Sequence, residues 1–368
     1  MTALERVSGA STWAFIVSVL EWQETASYIS FPKAARRDAE LVRYFTEDRK
    51  VPADHILVYK DSQAKLADLK ADLRSFAARG KPGDLFFFYY AGHGDREKPG
   101  ITYLIPFDGK SADVAGTAWS VDDILEELES GFKGSWVLLA ADCCHSGGLC
   151  QAASSLGKKA AYGCLASAQS SSPSTGEWTF TDSLLRGLTG SSRADLDGDR
   201  RVDFSELASH IESEMAFGER QLSAAAVTGR FTPATKLADV SRSDLALPRV
   251  VVRWRDGRDY NGTVLGDCAT DGGRPGQMIR YGGYKESADE CVEASAVRPY
   301  SVPARRFAAQ TKVYAEWEKS WYAATVLDYR LGLHRIGYDG FSEYWDEWVP
   351  ADLLRTEPPC SPAPCKAP

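Results

Sequence analysis

The sequence of 368 residues has no apolar run long enough to cross a bilayer, since a spanning helix needs about 20 such residues. Its first apolar run, Trp13 to Leu20, is flanked by neither a basic stretch nor a small-residue cleavage site. It therefore reads as a first core strand, not a leader. Positive charge is in deficit, with 43 Lys and Arg against 51 Asp and Glu and a net charge of −8. Such a chain has little bulk attraction for nucleic acid or anionic membrane, and neither is expected as a partner. Histidine is scarce, five in all, so each can be weighed as a base. The cysteines, at 143, 144, 150, 164, 268, 291, 360 and 365, follow no framework or metal-site spacing. That scatter fits thiols in a reducing interior, and a cytoplasmic location is expected.

A chain this long exceeds the roughly 250 residues at which one core stops growing, so two or more domains are expected. Residues 1–245 alternate buried strands with helical patterns. Strands are read at 13–20, 55–61, 84–90, 102–108, 136–141 and 160–166, and helices over 34–45, 64–78 and 121–128. This alternation predicts an α/β fold, a mostly parallel sheet with helices on both faces. Residues 218–247 lack helical periodicity and read as a last strand plus linker. From Pro248 the chain turns aromatic-rich and short-stranded, and it repeats itself. Val251-Val252-Arg253-Trp254, Tyr260 to Val264 and Arg280-Tyr281 parallel Val313 to Trp317, Tyr322 to Val326 and Gly337-Tyr338. Each copy predicts a small β-barrel, at 248–302 and 308–357, the first with a longer Gly-rich loop. The Pro-rich tail, 358–368, is expected to be disordered.

Two strand ends carry chemistry. Trp136 to Ala141 is an apolar run that stops at Asp142-Cys143-Cys144-His145-Ser146-Gly147-Gly148; Asp84 to Tyr90 stops at Ala91-Gly92-His93-Gly94. In open α/β sheets, ligands and chemistry sit at such C-terminal strand ends. A thiol attacks a carbonyl as thiolate, and an imidazole that takes its proton can later protonate the leaving amine. Cys144 and His93 are the candidates. Glycines beside them would let a substrate backbone approach, with the amides of Cys144 and Gly94 aimed at an oxyanion. His145 is a rival base, but neighbouring residues at a strand end point apart. The alternative for either cysteine is simple core packing.

The segment from Thr12 to about Leu245 resembles caspase-fold cysteine peptidases of the metacaspase or bacterial caspase-like type. The carriers are Phe88 to Gly94 and Asp142 to Gly148, supported by Arg37-Asp38-Ala39, Tyr103-Leu104-Ile105-Pro106 and Phe180 to Leu185. His93 precedes Cys144 by 51 positions, near the roughly fifty of caspases. The resemblance implies a His93–Cys144 dyad, with Cys143 facing the core. It also implies an acidic pocket at Asp38 and Asp142, hence cleavage of protein substrates after Arg or Lys by charge-assisted hydrogen bonds. The plain alternative for Asp38 is a helix cap or surface acid. The chemistry needs no cofactor.

Asp195, Asp197, Asp199, Asp203 and Glu206 occupy positions 1, 3, 5, 9 and 12 of an EF-hand-like loop, so calcium is a candidate ligand. Arg200 stands where that loop needs glycine, which leaves open a family loop with no metal. The C-terminal copies resemble Tudor or agenet-type barrels. That resemblance implies an aromatic cage for methylated lysine or arginine at Trp317, Tyr322, Tyr338, Asp339 and Phe341, matched in the first copy by Trp254, Tyr260, Tyr281 and Tyr284. Small barrels also fill their interiors with aromatics, so a partner-binding or packing module is the other reading. Two functions stand: a cysteine endopeptidase whose barrels recruit partners or substrates, and an inactive caspase-fold scaffold whose barrels do the binding.

Overall fold

The computed structural model describes residues 7–358 apart from 34–35, 99, 158, 173, 175, 283–287 and 318–319. Tyr284 and nearly all of the Pro-rich tail lie outside the described residues. Contacts divide the chain into two units, residues 1–214 with 223–246, and residues 215–222 with 247–368. The chain runs β1 (Thr12–Ser18), α1 (Asp38–Arg43), β2 (Ile56–Lys60), α2 (Leu66–Ala77), β3 (Leu85–Ala91), β4 (Gly94–Lys98), β5 (Ile101–Leu104), α3 (Val114–Thr117), β6 (Trp119–Ser120) and α4 (Val121–Gly131). It continues through β7 (Trp136–Asp142), α5 (Gly147–Ala153), β8 (Ala161–Ala166), α6 (Thr179–Leu188), β9 (Arg201–Asp203), α7 (Phe204–Gly218), β10 (Ala224–Val227) and β11 (Lys236–Asp239).

The main sheet has the order β10-β8-β7-β3-β1-β2. All neighbours are parallel except β10, which runs antiparallel to β8. β1 and β7 are buried at every position and β3 at all but its first. That is why they read as unbroken apolar runs rather than alternating ones. One face carries Phe86, Phe88, Tyr90, Val137, Leu139 and Ala141, covered by Leu69, Leu73 and Phe76 of α2 and Ile124, Leu125 and Leu128 of α4. α4 starts where Ser120 Oγ accepts the Asp123 amide at 3.1 Å, an N-cap that its sequence announces. On the opposite face Phe45 meets Phe87 at 4.7 Å, and α1 is tied to α6 by Arg37 and Asp182 at 3.0 Å. The expected α/β architecture is present.

Several boundaries differ from the sequence reading. The helix expected over 34–45 begins at Asp38 and widens into a π-turn over Tyr44–Asp48. The 102–108 strand is β5, which belongs to a separate antiparallel sheet, β4-β5-β6. Residues 218–247 hold two short strands: β10 closes the main sheet, and β11 pairs with β9. Their few residues are placed by partners far along the chain, which no local pattern records.

The second unit contains β12 (Arg249–Arg253), β13 (Asp259–Ala269), β14 (Pro275–Tyr281), β15 (Glu290–Glu293) and β16 (Val297–Pro299), then β17 (Lys312–Trp317), β18 (Ser320–Arg330), β19 (Leu333–Tyr338), β20 (Glu347–Pro350) and β21 (Leu354–Arg355). Their sheet orders, β15-β14-β13-β12-β16 and β20-β19-β18-β17-β21, are the same topology twice. Both long strands break register at matching places, Val264/Gly266 and Val326/Asp328, so the bulge that curls each sheet is repeated too. Each copy folds over its own small core, Val250, Val252, Val264 and Ile279 in one, Val313, Ala315, Val326 and Ile336 in the other.

The cysteines depart from expectation. Cys150 of α5 is bonded to Cys164 of β8, and Cys268 of β13 to Cys291 of β15. Cys143 and Cys144 are the free cysteines among the described residues. Separations of 14 and 23 residues form no framework pattern because the pairing follows from which elements lie side by side. Two disulfides speak against the reducing interior read from the sequence. Alkylation of the denatured, unreduced protein followed by peptide mapping should leave Cys150, Cys164, Cys268 and Cys291 unmodified. Labelled peptides at these positions would remove both bridges.

Candidate active site

β3 and β7 are hydrogen-bonded neighbours at the sheet centre, with Ala91 opposite Asp142 as their last pair. The Gly92 amide donates to the Asp142 carbonyl at 3.2 Å, which carries the contact past the strand ends. The two loops then touch: a methyl group on Gly94 would lie 2.0 Å from the Cys144 carbonyl oxygen. Glycine at 94 is therefore demanded by this close approach. The glycines after His145 have another role than the sequence reading gave them. A methyl on Gly148 would strike Thr102 Oγ1 at 1.9 Å, and one on Gly147 the 168–170 backbone. They admit the chain's own loops, not a substrate.

His93 lies among Trp22, Tyr28 and Phe31, with ring centroids at 4.3, 5.6 and 4.7 Å. Its Nε2 is 2.9 Å from the Ile29 carbonyl. A carbonyl can only accept, so Nε2 carries the proton and Nδ1 of the neutral ring is left as the base. Burial lowers the His93 pKa, with the Ile29 carbonyl and Asp95 opposing it. The Cys144 thiol is raised by burial, against the amide of Ser174. Ser174 N–H donates to Sγ at 3.1 Å, and Sγ contacts the Ser174 carbonyl at 3.6 Å. Among the described residues there is no His93–Cys144 hydrogen bond; each side chain is engaged by backbone of a flanking loop. Cys143 points into the core, its amide donating to Ser167 Oγ at 3.1 Å.

His145 adopts a left-handed backbone, φ 59°. Its Nδ1 lies 3.1 Å from the Ser170 carbonyl, and burial lowers its pKa to about 4. It anchors the 170–172 loop, its own amide donating to the Ser172 carbonyl at 2.9 Å.

Both acids act on Tyr89. Asp142, mostly buried, accepts Thr181 Oγ1 at 2.6 Å, and that hydroxyl meets Tyr89 Oη at 2.6 Å. Burial raises the Tyr89 hydroxyl well above its ordinary range, and the charges of Asp142 and Asp38 push it the same way. Asp38 is fully buried, and its carboxylate is occupied by Arg36, whose Nε reaches it at 2.9 and 3.2 Å. Sequence reasoning passed over Arg36, Asp61, Asp95, Ser174 and the Ile29 carbonyl. The last two act through backbone atoms, which any side chain supplies, so the sequence carries no signal for them. Trp22, Tyr28 and Phe31 could have been noticed as an aromatic cluster.

In the acidic loop, Asp195, Asp197 and Asp199 can each place a carboxylate oxygen within 4.8 Å of the others. Arg200 takes the conformation that glycine would, with φ 69°. Glu206 Oε1 accepts the amides of Leu196 and Asp197 at 2.7 and 3.2 Å, and Asp203 Oδ1 caps α7 through the Glu206 amide at 2.9 Å. In the second barrel, Trp317, Tyr322, Tyr338 and Phe341 meet edge to face in succession, at 6.0, 6.0 and 6.4 Å. Trp317 and Phe341 are exposed. Asp339 turns to Lys312 Nζ at 2.9 Å and Thr325 Oγ1 at 2.8 Å, while Tyr338 Oη donates to Glu347. In the first barrel Trp254 and Tyr260 each meet Tyr281, at 5.9 and 6.2 Å, and Tyr281 Oη donates to Glu290 as Tyr338 does to Glu347.

No helix among the described residues is long and apolar enough to cross a membrane. No curated protein matches the chain. Among solved structures, protein GSU0716 from Geobacter sulfurreducens is similar at 17% identity and TM-score 0.46, covering 64% of this chain and 100% of that one. The SAWADEE domain of SHH1, solved in complex with an H3K9me3 peptide, is similar at 17% identity and TM-score 0.16, covering 31% of this chain and 100% of its own. Residues 33–239 match the caspase domain. With more than half of its length in that match, and with His93 and Cys144 both inside it, the chain belongs to the caspase-domain family.

Proposed function

We propose that the protein is a cysteine endopeptidase that cuts protein substrates after Arg or Lys. The observation that carries this is the abutment of the 92–94 and 142–144 loops on paired central strands. On this reading a bound peptide displaces Ser174 from Cys144, and Sγ attacks the scissile carbonyl carbon. The thiol proton passes to His93 Nδ1, while Nε2–H stays on the Ile29 carbonyl and steadies the imidazolium. The amides of Gly94 and Cys144 take the oxyanion. Collapse breaks the C–N bond, Nδ1 returns the proton to the amine, and a water deprotonated by His93 hydrolyses the thioester. Asp38 and Asp142 supply the negative charge that selects a basic side chain.

The second reading, an inactive scaffold, draws on the same site: Sγ is capped by Ser174 and Asp38 is paired with Arg36. A peptide-library profile run beside Cys144→Ala separates the two. Cleavage after Arg and Lys that vanishes in the variant is expected. Absence of both turnover and labelling by an arginyl acyloxymethyl ketone in the reduced wild type would favour the scaffold, and cleavage confined to Asp would displace the acidic pocket.

The loop 195–206 is proposed to hold calcium through Asp195, Asp197, Asp199, Asp203 and Glu206, a hard cation on oxygen ligands. The ion would set the loop ahead of α7 and takes no part in the chemistry above. Calorimetric titration should give calcium binding to the wild type that Asp195→Ala loses; equal affinities would exclude this loop.

The barrels are proposed to recruit partners, with Trp317, Tyr322, Tyr338 and Phe341 enclosing a methylated lysine or arginine by cation–π attraction, each ring face contributing about 0.5–1 kcal/mol or more when desolvated. Asp339 serves the barrel through Lys312 rather than the cage. A trimethyl-lysine peptide should bind more tightly than its unmodified twin, and Trp317→Ala should remove the difference. Identical binding of the two peptides to wild type would leave the rings as packing. On location, the two disulfides favour an oxidising compartment over the cytoplasm.

A further inference from the structure

Arg36 makes five hydrogen bonds with its guanidinium. Besides Asp38, Nη1 reaches Asp61 Oδ2 at 2.7 Å, and Nη2 reaches the Ser18 carbonyl at 3.1 Å and Ser18 Oγ at 3.0 Å. Asp61 itself is built for this. Its backbone is left-handed at φ 50°, and its other oxygen accepts the Leu20 amide at 2.9 Å. Ser18 lies on the catalytic rim, because the sheet pairs Ser18 with Ala91 and Ala91 with Asp142. Two strand spacings of about 4.8 Å separate Ser18 from Asp142.

Charge around Asp38 is already balanced. Lys60 Nζ stands 3.8 Å from Asp38, and Lys33 Nζ stands 3.5 Å from Asp61 and 2.6 Å from Glu21. Three cations thus face three anions. A substrate guanidinium brought in beside Arg36 would meet like charge at short range in a buried setting, where repulsion is strong.

We propose that Arg36 is a built-in occupant of the acidic pocket, a guanidinium of the chain's own that a substrate's basic side chain must displace to reach Asp38. This rests on the reading of Asp38 as part of the specificity pocket. Arg36 then sets the threshold for substrate entry, because apparent affinity falls by the fraction of molecules in which it has withdrawn. It is a specificity determinant that touches the pocket acid and not the reacting atoms.

Benzamidine, a flat amidinium, probes the pocket without requiring turnover. Titration calorimetry is run on wild type, Arg36→Ala and Arg36→Lys. Binding at least tenfold tighter in Arg36→Ala is expected, with Arg36→Lys between, since an ammonium keeps the charge and loses the fork. Arg36→Ala should also melt lower than wild type, and benzamidine should restore the loss. Equal affinity in all three proteins, or a melting loss that benzamidine leaves in place, would reduce Arg36 to a structural ion pair. If Arg36→Ala does not fold, the Arg36→Lys affinity decides by the same criterion. Cleavage profiles on these proteins separate the two layers. Tighter benzamidine binding with no cut after Arg or Lys keeps the occupant and overturns the peptidase reading. Cuts after Arg or Lys with KM unchanged in both variants keep the peptidase and overturn the occupant.

Discussion

The pairing of β3 with β7 is the constraint on which the site depends. Both strands lie at the centre of the sheet and are almost wholly buried, so their register is held by apolar contacts on two faces at once. Slippage by one residue would turn Phe86, Phe88 and Tyr90 away from Val137, Leu139 and Ala141, and would part the 92–94 loop from the 142–144 loop. The close approach of Gly94 to the Cys144 carbonyl is the end product of that register. The geometry of the candidate site is inherited from core packing rather than built by the loops themselves.

Burial acts on the two reactive groups in the same direction. It lowers the imidazole of His93 and raises the thiol of Cys144, so both are neutral in the resting protein. A preformed thiolate–imidazolium pair would have to overcome both desolvation terms. Compensations are present but divided: the Ile29 carbonyl and Asp95 favour the charged ring, and the Ser174 amide favours the charged sulfur. On the proposed reading, the proton would therefore move most easily when attack on a carbonyl makes the sulfur more acidic. A resting thiol that is neutral and capped is also a poor nucleophile toward stray electrophiles.

The sheet was legible because its strands are long, apolar and uninterrupted, and the barrels were legible because their pattern occurs twice. Strands such as β9, β10 and β11, of three and four residues, owe their existence to partners remote in sequence. The candidate side chains, His93 and Cys144, could be named from Asp142 to Gly148 and Phe88 to Gly94. What engages them could not be, because the Ile29 carbonyl and the Ser174 amide are backbone groups. Asp38 was found as an acid, while its pairing was missed: Arg36 sits two residues before it in a helical pattern, where the expected partner is three or four residues away. The disulfides escaped notice because Cys150 and Cys164 belong to a helix and a strand that meet only after folding.

On the proposed reading, the two units would take cations by opposite physics. Carboxylates such as Asp38 and Asp142 reward a guanidinium or ammonium that can donate hydrogen bonds, and each added methyl group removes a donor. Aromatic faces such as Trp317 and Tyr338 reward a cation that water holds weakly, which methylation produces. On the proposed reading, a methylated side chain is therefore suited to the barrels and ill suited to the cleft, and an unmodified one the reverse. A single substrate carrying both kinds of residue could be gripped at one and cut at the other, without the two sites competing for the same side chain.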